Sequence, residues 1–180
     1  MLVIALFIKL DSRGPIFFTQ KRIGKNKKIF LCYKFRTMNI DAQEHLKSLL
    51  ISNVEDRKEW NDRRKLRKDP RVTIIGRLLR RSSLDELPQL FNVLKGEMSI
   101  VGPRPVVEDE IQKYYKEKAG LYYSVLPGIT GLWQISGRTK TAYQSRVDLD
   151  SWYARNWNIG TDMIIVLKTL PAVIKRTGAY

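Results

Sequence analysis

The chain has 180 residues, 43% hydrophobic and 28% charged, which excludes a disordered polymer and allows one domain with a core. Lys and Arg total 33 against 18 acids, a formal charge of +15, so the partners to expect are anionic: nucleic acid, an anionic membrane face or phosphorylated substrates. The single Cys32 excludes an internal disulfide and a cysteine-only zinc site, and the single His45 excludes multi-histidine metal centres.

Met1–Ile8 is wholly apolar. It is too short to span a bilayer and lacks the basic start and cleavage site of a signal peptide. It reads as the tail of a longer hydrophobic element, with a buried strand or helix as the plain structural alternative. Ser12-Arg13-Gly14-Pro15 is a turn. Ile16–Ile23 and Ile29–Phe35 read as strands joined by the polar loop Gly24–Lys28. In the second strand, Phe30, Cys32, Lys34 and Arg36 share a face. The spacing sets Lys34 beside Arg36, able to meet one anion or to form a solvated strand face. Residues 20–36 carry seven basic side chains and no acid, a dense positive arm.

Asp41-Ala42-Gln43-Glu44 is a capping box that opens a helix to about Trp60 and leaves His45 on the surface. Arg57–Arg71 is a charged helix end or loop, broken at Asp69-Pro70. Val72–Ile75 leads into a basic helix, Arg77–Arg81.

The next stretch, up to Arg104, is the most informative. Adjacent Asp85 and Glu86 follow Arg77, Arg80 and Arg81, and the rigid Gly102-Pro103-Arg104-Pro105 comes soon after. Adjacent carboxylates among arginines suit a divalent cation and a phosphate held side by side. Ser83-Leu84-Asp85-Glu86 is also a capping box, which explains both acids without chemistry. Pro88 disagrees with a helix starting at Ser83, because it removes a hydrogen bond beyond the first turn. The acids therefore lie at a bend or a late helix start.

Glu108–Ala119 reads as a helix stopped by Gly120. Leu126–Arg138 reads as a loop. Its glycines at 128, 131 and 137 permit close approach to a ligand, and Arg138 is a candidate for phosphate. The Gly-Lys-Ser/Thr ending of a Walker loop is missing. Thr141-Ala142-Tyr143-Gln144 opens a helix to about Asn156. Asp162 caps a last helix, Met163–Arg176, that Pro171 would kink. Trp152, Tyr153 and Trp157 suit a membrane interface or, equally, a core-facing helix pair.

Jointly these segments resemble the bacterial sugar transferases, the monotopic polyprenyl-phosphate phosphoglycosyl transferases. The matching pieces run in family order over nearly the whole chain. They are Ser12–Gln20, Lys34-Phe35-Arg36-Thr37-Met38, Ser83–Gln89, Gly102-Pro103-Arg104-Pro105, Pro127–Gln134 and Asp150-Ser151-Trp152-Tyr153. The last region and the ending Gly178-Ala179-Tyr180 are most similar to undecaprenyl-phosphate galactose or glucose phosphotransferases. The resemblance implies an α+β fold. A mostly helical single domain, 11–180, would carry a small antiparallel hairpin and amphipathic interfacial helices. Residues 1–10 would be the second half of a re-entrant membrane helix.

The implied reaction moves sugar-1-phosphate from a UDP-sugar to undecaprenyl phosphate and releases UMP, starting an O-antigen, capsule or exopolysaccharide unit. Asp85 matches the family nucleophile and Glu86 its partner in a Mg²⁺-dependent dyad, with Asp85 and Glu86 as metal ligands. Lys34, Arg36, Arg80, Arg104 and Arg138 would bind phosphate. Asp150 would be a further metal or sugar contact, or a helix-surface ion pair. The expected location is the cytoplasmic face of the bacterial inner membrane, on an anionic lipid surface, and the resemblance allows a homodimer. A nucleic-acid-binding module and a non-catalytic membrane-surface adaptor are the rivals. No nucleic-acid recognition motif supports the first, so nucleic acid is not an expected partner.

Overall fold

The computed structural model describes residues 1–63, 66, 69–136 and 143–174, with side chains through 60 and 171 at the ends of the third and last helices. They fall into two compact units. The first holds Met1–Phe18 and Phe35–Asp85, and the second holds Thr19–Lys34 and the residues from Glu86 onward. The described residues are mostly helical with a small antiparallel hairpin, as expected.

In the first unit, α1 (Leu2–Asp11) is a helix that buries only Ile8. Leu2 is 88% and Leu10 75% exposed, so this is not a core element. Among the described residues no helix is long and apolar enough to cross a membrane. Asp11 accepts a 3.0 Å bond from the Ile75 N–H, which ties α1 to α4 (Ile74–Ser82). Thr73 caps α4, its hydroxyl accepting from the Gly76 N–H at 3.0 Å. A β-carbon on Gly76 would lie 2.1 Å from the Thr37 carbonyl oxygen, so only glycine lets α4 rest on that backbone.

The long helix expected from Asp41 to Trp60 is two helices, α2 (Ala42–Ser52) and α3 (Val54–Arg63). Asp41 makes no side-chain cap and instead pairs with His45 at 3.2 Å. The break is Asn53, whose Oδ1 accepts from the N–H groups of Glu55 and Asp56 at 2.9 and 3.2 Å. A residue that caps a new helix competes with continuing the old one.

The hairpin pairs β1 (Phe17–Ile23) with β2 (Ile29–Phe35). Its turn uses positive φ at Asn26 and Lys27. Phe30 and Cys32 are buried while Ile29 and Leu31 are exposed, in agreement with the expected strand faces.

The second unit adds a pair absent from the sequence reading. β3 (Ser99–Val101) runs parallel to β4 (Gly128–Thr130), with Ser99 opposite Gly128. The supposed ligand loop is therefore partly strand. A β-carbon on Gly128 would meet the Gly102 nitrogen at 2.1 Å, and one on Gly131 the Gly102 carbonyl oxygen at 2.2 Å. These glycines admit another stretch of backbone, not a ligand. Gly137 lies outside the described residues.

Between the hairpin and β3, α5 (Gln89–Leu94) anchors on β2 through the fully buried Asn92. Asn92 accepts from the Tyr33 N–H at 3.0 Å and donates to the Leu31 carbonyl at 2.7 Å. Gly120 does not stop the next helical run. After α6 (Glu108–Glu110) the chain forms a wide turn through Tyr115, bends at Lys116 with φ 45°, and continues as α7 (Ala119–Ser124). Packing explains the continuation: Tyr115 and Tyr122 sit in a core with Ile23, Val106, Ile111 and Val147, and the Tyr122 hydroxyl donates to the Ile23 carbonyl at 2.8 Å.

Then come α8 (Leu132–Ile135), α9 (Tyr143–Asn156) and α10 (Ile159–Ile174). Thr141, the expected cap of α9, lies outside the described residues. Asp162 is inside the first turn of α10, not before it, and accepts from the Tyr153 hydroxyl and the Trp157 indole at 2.8 and 3.1 Å. Ile165 of α10 is buried, whereas Ile159 is 81% exposed and Met163, Ile164, Leu167 and Leu170 are also exposed.

Gly76→Ala should destabilise the protein by about 1–3 kcal/mol or more, because its clash is with backbone that cannot move aside. Thermal unfolding followed by circular dichroism checks this. Gly120→Ala is the control: nothing lies within 4 Å of the added carbon, so the midpoint should hold or rise.

Candidate active site

Asp85 and Glu86 occupy a single 3₁₀ turn, Leu84–Glu86, between α4 and α5. Ser83 sets the corner. It adopts φ 57°, and its N–H bonds back to the carbonyls of Arg80 and Leu79 as the C-cap of α4. The Ser83–Glu86 capping box is thereby replaced by a bend, as Pro88 indicated. The two carboxylates belong to different compact units, and each has its own surroundings.

In the first unit, Asp85 is half-buried. Burial lowers the pKa of Arg80, and the negative charges of Asp85 and then Asp69 pull it back. The Arg80 Nε donates to the Thr37 hydroxyl at 2.9 Å, which fixes the guanidinium. Arg77 and Arg81 of the same helix are exposed.

In the second unit, Glu86 is the centre of a charge cluster. Its Oε1 accepts from Lys34 Nζ at 2.7 Å and from Arg104 Nη2 at 2.7 Å, and Oε2 accepts from Arg104 Nη1 at 3.3 Å. Burial alone would raise this carboxyl's pKa. The charges of Arg104 and Lys34 outweigh burial and hold it well below the usual carboxylate range. Glu86 is ionised at neutral pH and has no proton to give.

Arg104 lies between the buried Pro103 and Pro105, so its segment is no exposed turn. Its carbonyl accepts a 3.1 Å bond from Arg146 Nη2. Arg146 is itself buried, facing Trp133 at 4.8 Å and Tyr143 at 5.1 Å. Its Nη1 is 3.6 Å from Glu110 and its Nε 3.6 Å from Asp150. Asp150 is 3% exposed and accepts from the Tyr115 hydroxyl at 2.5 Å. Burial pushes its carboxyl up to about 6, against the pull of Arg146 and that hydroxyl. The expected helix-surface ion pair is therefore a buried network, and a metal or sugar contact at Asp150 has no support in this geometry.

The expectation of phosphate at Arg36 is corrected. Arg36 is buried, and its Nε, Nη1 and Nη2 donate to the carbonyls of Pro15, Arg13 and Ser12 at 2.6, 2.6 and 2.8 Å. A longer contact of 3.5 Å goes to the Ile8 carbonyl. These carbonyls take its Nε and both terminal nitrogens. Lys34 and Arg36, two apart in sequence, have separate tasks. Arg138 lies outside the described residues.

Comparison with known proteins gives the family. The model of the family described as "Bacterial sugar transferase" matches residues 1–176. This chain belongs to the bacterial sugar transferase family. It is 49% identical over 180 residues to the undecaprenyl-phosphate galactose phosphotransferase of Salmonella typhimurium, covering 99% of this chain but 38% of that protein. It is 48% identical to the exopolysaccharide production protein ExoY of Rhizobium meliloti, over 99% of this chain and 79% of that protein. It is 40% identical to the undecaprenyl-phosphate glucose phosphotransferase of Komagataeibacter xylinus, over 99% of this chain and 33% of that protein.

Within this chain, sequence reasoning missed Arg146 and Glu110. An arginine four residues before an aspartate on a helix reads as a solvated pair, and only burial separates it from one. The pairing of Lys34 with Glu86, 52 residues apart, also has no local signal.

Glu86→Gln should flatten the acid side of the stability profile. A carboxyl whose folded pKa is depressed stabilises the protein above its unfolded pKa, near 4.3, and that stabilisation is lost as the pH falls. Denaturant unfolding at successive pH values below 5 should show a steeper loss in wild type than in the variant. Arg36→Lys cannot serve the same carbonyls, and each buried carbonyl left unpaired costs about 1–3 kcal/mol. It should therefore lower the unfolding midpoint.

Proposed function

We propose that this chain transfers sugar-1-phosphate from a UDP-sugar to undecaprenyl phosphate. Galactose and glucose are the leading sugars, by analogy with the Salmonella and Komagataeibacter relatives. The observation that carries the reading is the Lys34–Glu86–Arg104 cluster, covalently adjacent to a second carboxylate whose charge acts on Arg80. Two anions must meet in such a reaction, so fixed cations near a carboxylate nucleophile address the dominant barrier.

In the proposed sequence, an Asp85 oxygen attacks the phosphorus that bears the sugar. The bond from that phosphorus to the bridging oxygen breaks, and the electron pair leaves with UMP. The aspartyl phospho-sugar is then attacked at the same phosphorus by an oxygen of undecaprenyl phosphate. The acyl phosphate bond breaks and Asp85 returns as a carboxylate. Arg80 balances charge near Asp85. Arg104 and Lys34, oriented by Glu86, offer their remaining N–H donors to phosphate oxygens. Glu86 acts through this orientation and not as a proton donor.

Mg²⁺ fits the donor set in a restricted way. Among the described residues no three metal-ligating side chains cluster, and Oε1 of Glu86 is already shared by two cations. Asp85 with substrate diphosphate oxygens suits an ion that favours one or two carboxylates plus phosphate. When bound, it would neutralise part of the diphosphate charge. The exposed apolar side chains of α1 and of α10, with Trp152 and Trp157 at 50% and 61% exposure, suit an anionic lipid surface on the cytoplasmic face of the inner membrane.

Asp85→Asn should abolish labelling of the protein by a UDP-sugar radiolabelled in the sugar-bearing phosphate. Undiminished labelling refutes Asp85 as nucleophile. A UMP-release assay over a panel of UDP-sugars, with undecaprenyl phosphate and Mg²⁺, identifies the donor. In that assay Arg104→Ala should lose about 10²–10³ in rate, the usual loss for one electrostatic stabiliser.

A further inference from the structure

We propose that Arg146 is a positioning residue for the transfer, acting through Arg104. The inference rests on the phosphotransferase reading above. Arg146 belongs to α9, and its Nη2 donates to the backbone carbonyl of Arg104 at 3.1 Å. The side chain of Arg104 meanwhile grips Glu86. The carbonyl and the guanidinium of Arg104 are thus held from opposite ends.

Burying a guanidinium costs several kcal/mol in desolvation, and a well-packed apolar side chain of similar volume is often as good for stability. Arg146 nevertheless stands in the core with two aromatic faces against it. Its charge is shared between Glu110 and Asp150, each at 3.6 Å. Each carboxylate is itself restrained by a tyrosine hydroxyl: Tyr143 donates to Glu110 at 2.6 Å and Tyr115 to Asp150 at 2.5 Å. The Nε makes no hydrogen bond among the described residues. The carboxylates therefore set the direction of the guanidinium more than they satisfy it, and that direction ends at the Arg104 carbonyl. Pro103 and Pro105 restrict φ on either side, so fixing this one oxygen fixes the segment. A displacement of about 1 Å at a catalytic group can cost as much as 10²-fold in rate.

A double-mutant cycle on UMP release separates positioning from packing. Arg146→Met should lower kcat about 10- to 100-fold in the wild-type background, and less than about twofold in an Arg104→Ala background. Equal losses in both backgrounds overturn the proposal. Arg146→Lys, which keeps the charge but shortens the fork, replaces Arg146→Met if that variant does not fold, with the same expectation. A second readout is independent of turnover. Nitrogen-15 relaxation of the Arg104 guanidinium should show larger-amplitude motion in Arg146→Lys than in wild type, because the Arg104 carbonyl is less well held. Unchanged motion overturns the proposal. If Arg146→Lys loosens Arg104 but the wild-type protein releases UMP from no donor, the phosphotransferase reading alone is refuted.

Discussion

Oε1 of Glu86 accepts two hydrogen bonds of 2.7 Å, one from Lys34 and one from Arg104, and the rest of the candidate site depends on that shared oxygen. The bond to Lys34 draws the end of β2 to the corner after α4. The bond to Arg104 draws in the Gly-Pro-Arg-Pro segment. Three stretches distant in sequence thus meet at one atom. Losing one cation of this half-buried cluster would leave Glu86 with a single counter-ion. The arrangement also explains why the adjacent acids behave differently. One is held by two cations, and the other is set beside an arginine whose orientation comes from Thr37.

Local chemistry was legible in the sequence where it is strictly local. The hairpin strands and the corner at Ser83–Glu86 follow from alternation, a proline and turn residues, and the basic helix read over Arg77–Arg81 lies inside the longer α4. Wherever a distant residue overrides a local preference, the reading fails. Asp41 looks like a cap, but Asn53 divides the helix. Gly120 looks like a stop, but two buried tyrosines carry the helix past it. Arg36 looks like an anion ligand, because nothing nearby in sequence announces that backbone carbonyls from residues 8–15 will face it. The corner acids and Arg104 stood out because their spacing is unusual for a plain helix, whereas Arg146 and Asp150 have the spacing of any surface pair.

Glycine shows the same contrast. In the segment from Leu126 it was legible that small residues are needed, but not what for. Gly128 and Gly131 lie against the backbone of Gly102, and the result is a parallel strand pair so short that no hydrophobic run announces it. Its position matters for the site, since Gly102 immediately precedes Pro103 and Arg104. The register of β3 on β4 therefore sets where the arginine emerges.

The clamp that Arg36 makes has a consequence for the order of folding. The carbonyls of Ser12, Arg13 and Pro15 lie in the turn just past α1, and a side chain more than twenty residues downstream supplies their partner. During synthesis the amino-terminal helix leaves the ribosome before Arg36 does. The turn after α1 is therefore completed only once Arg36, the residue just past the second strand of the hairpin, has been made.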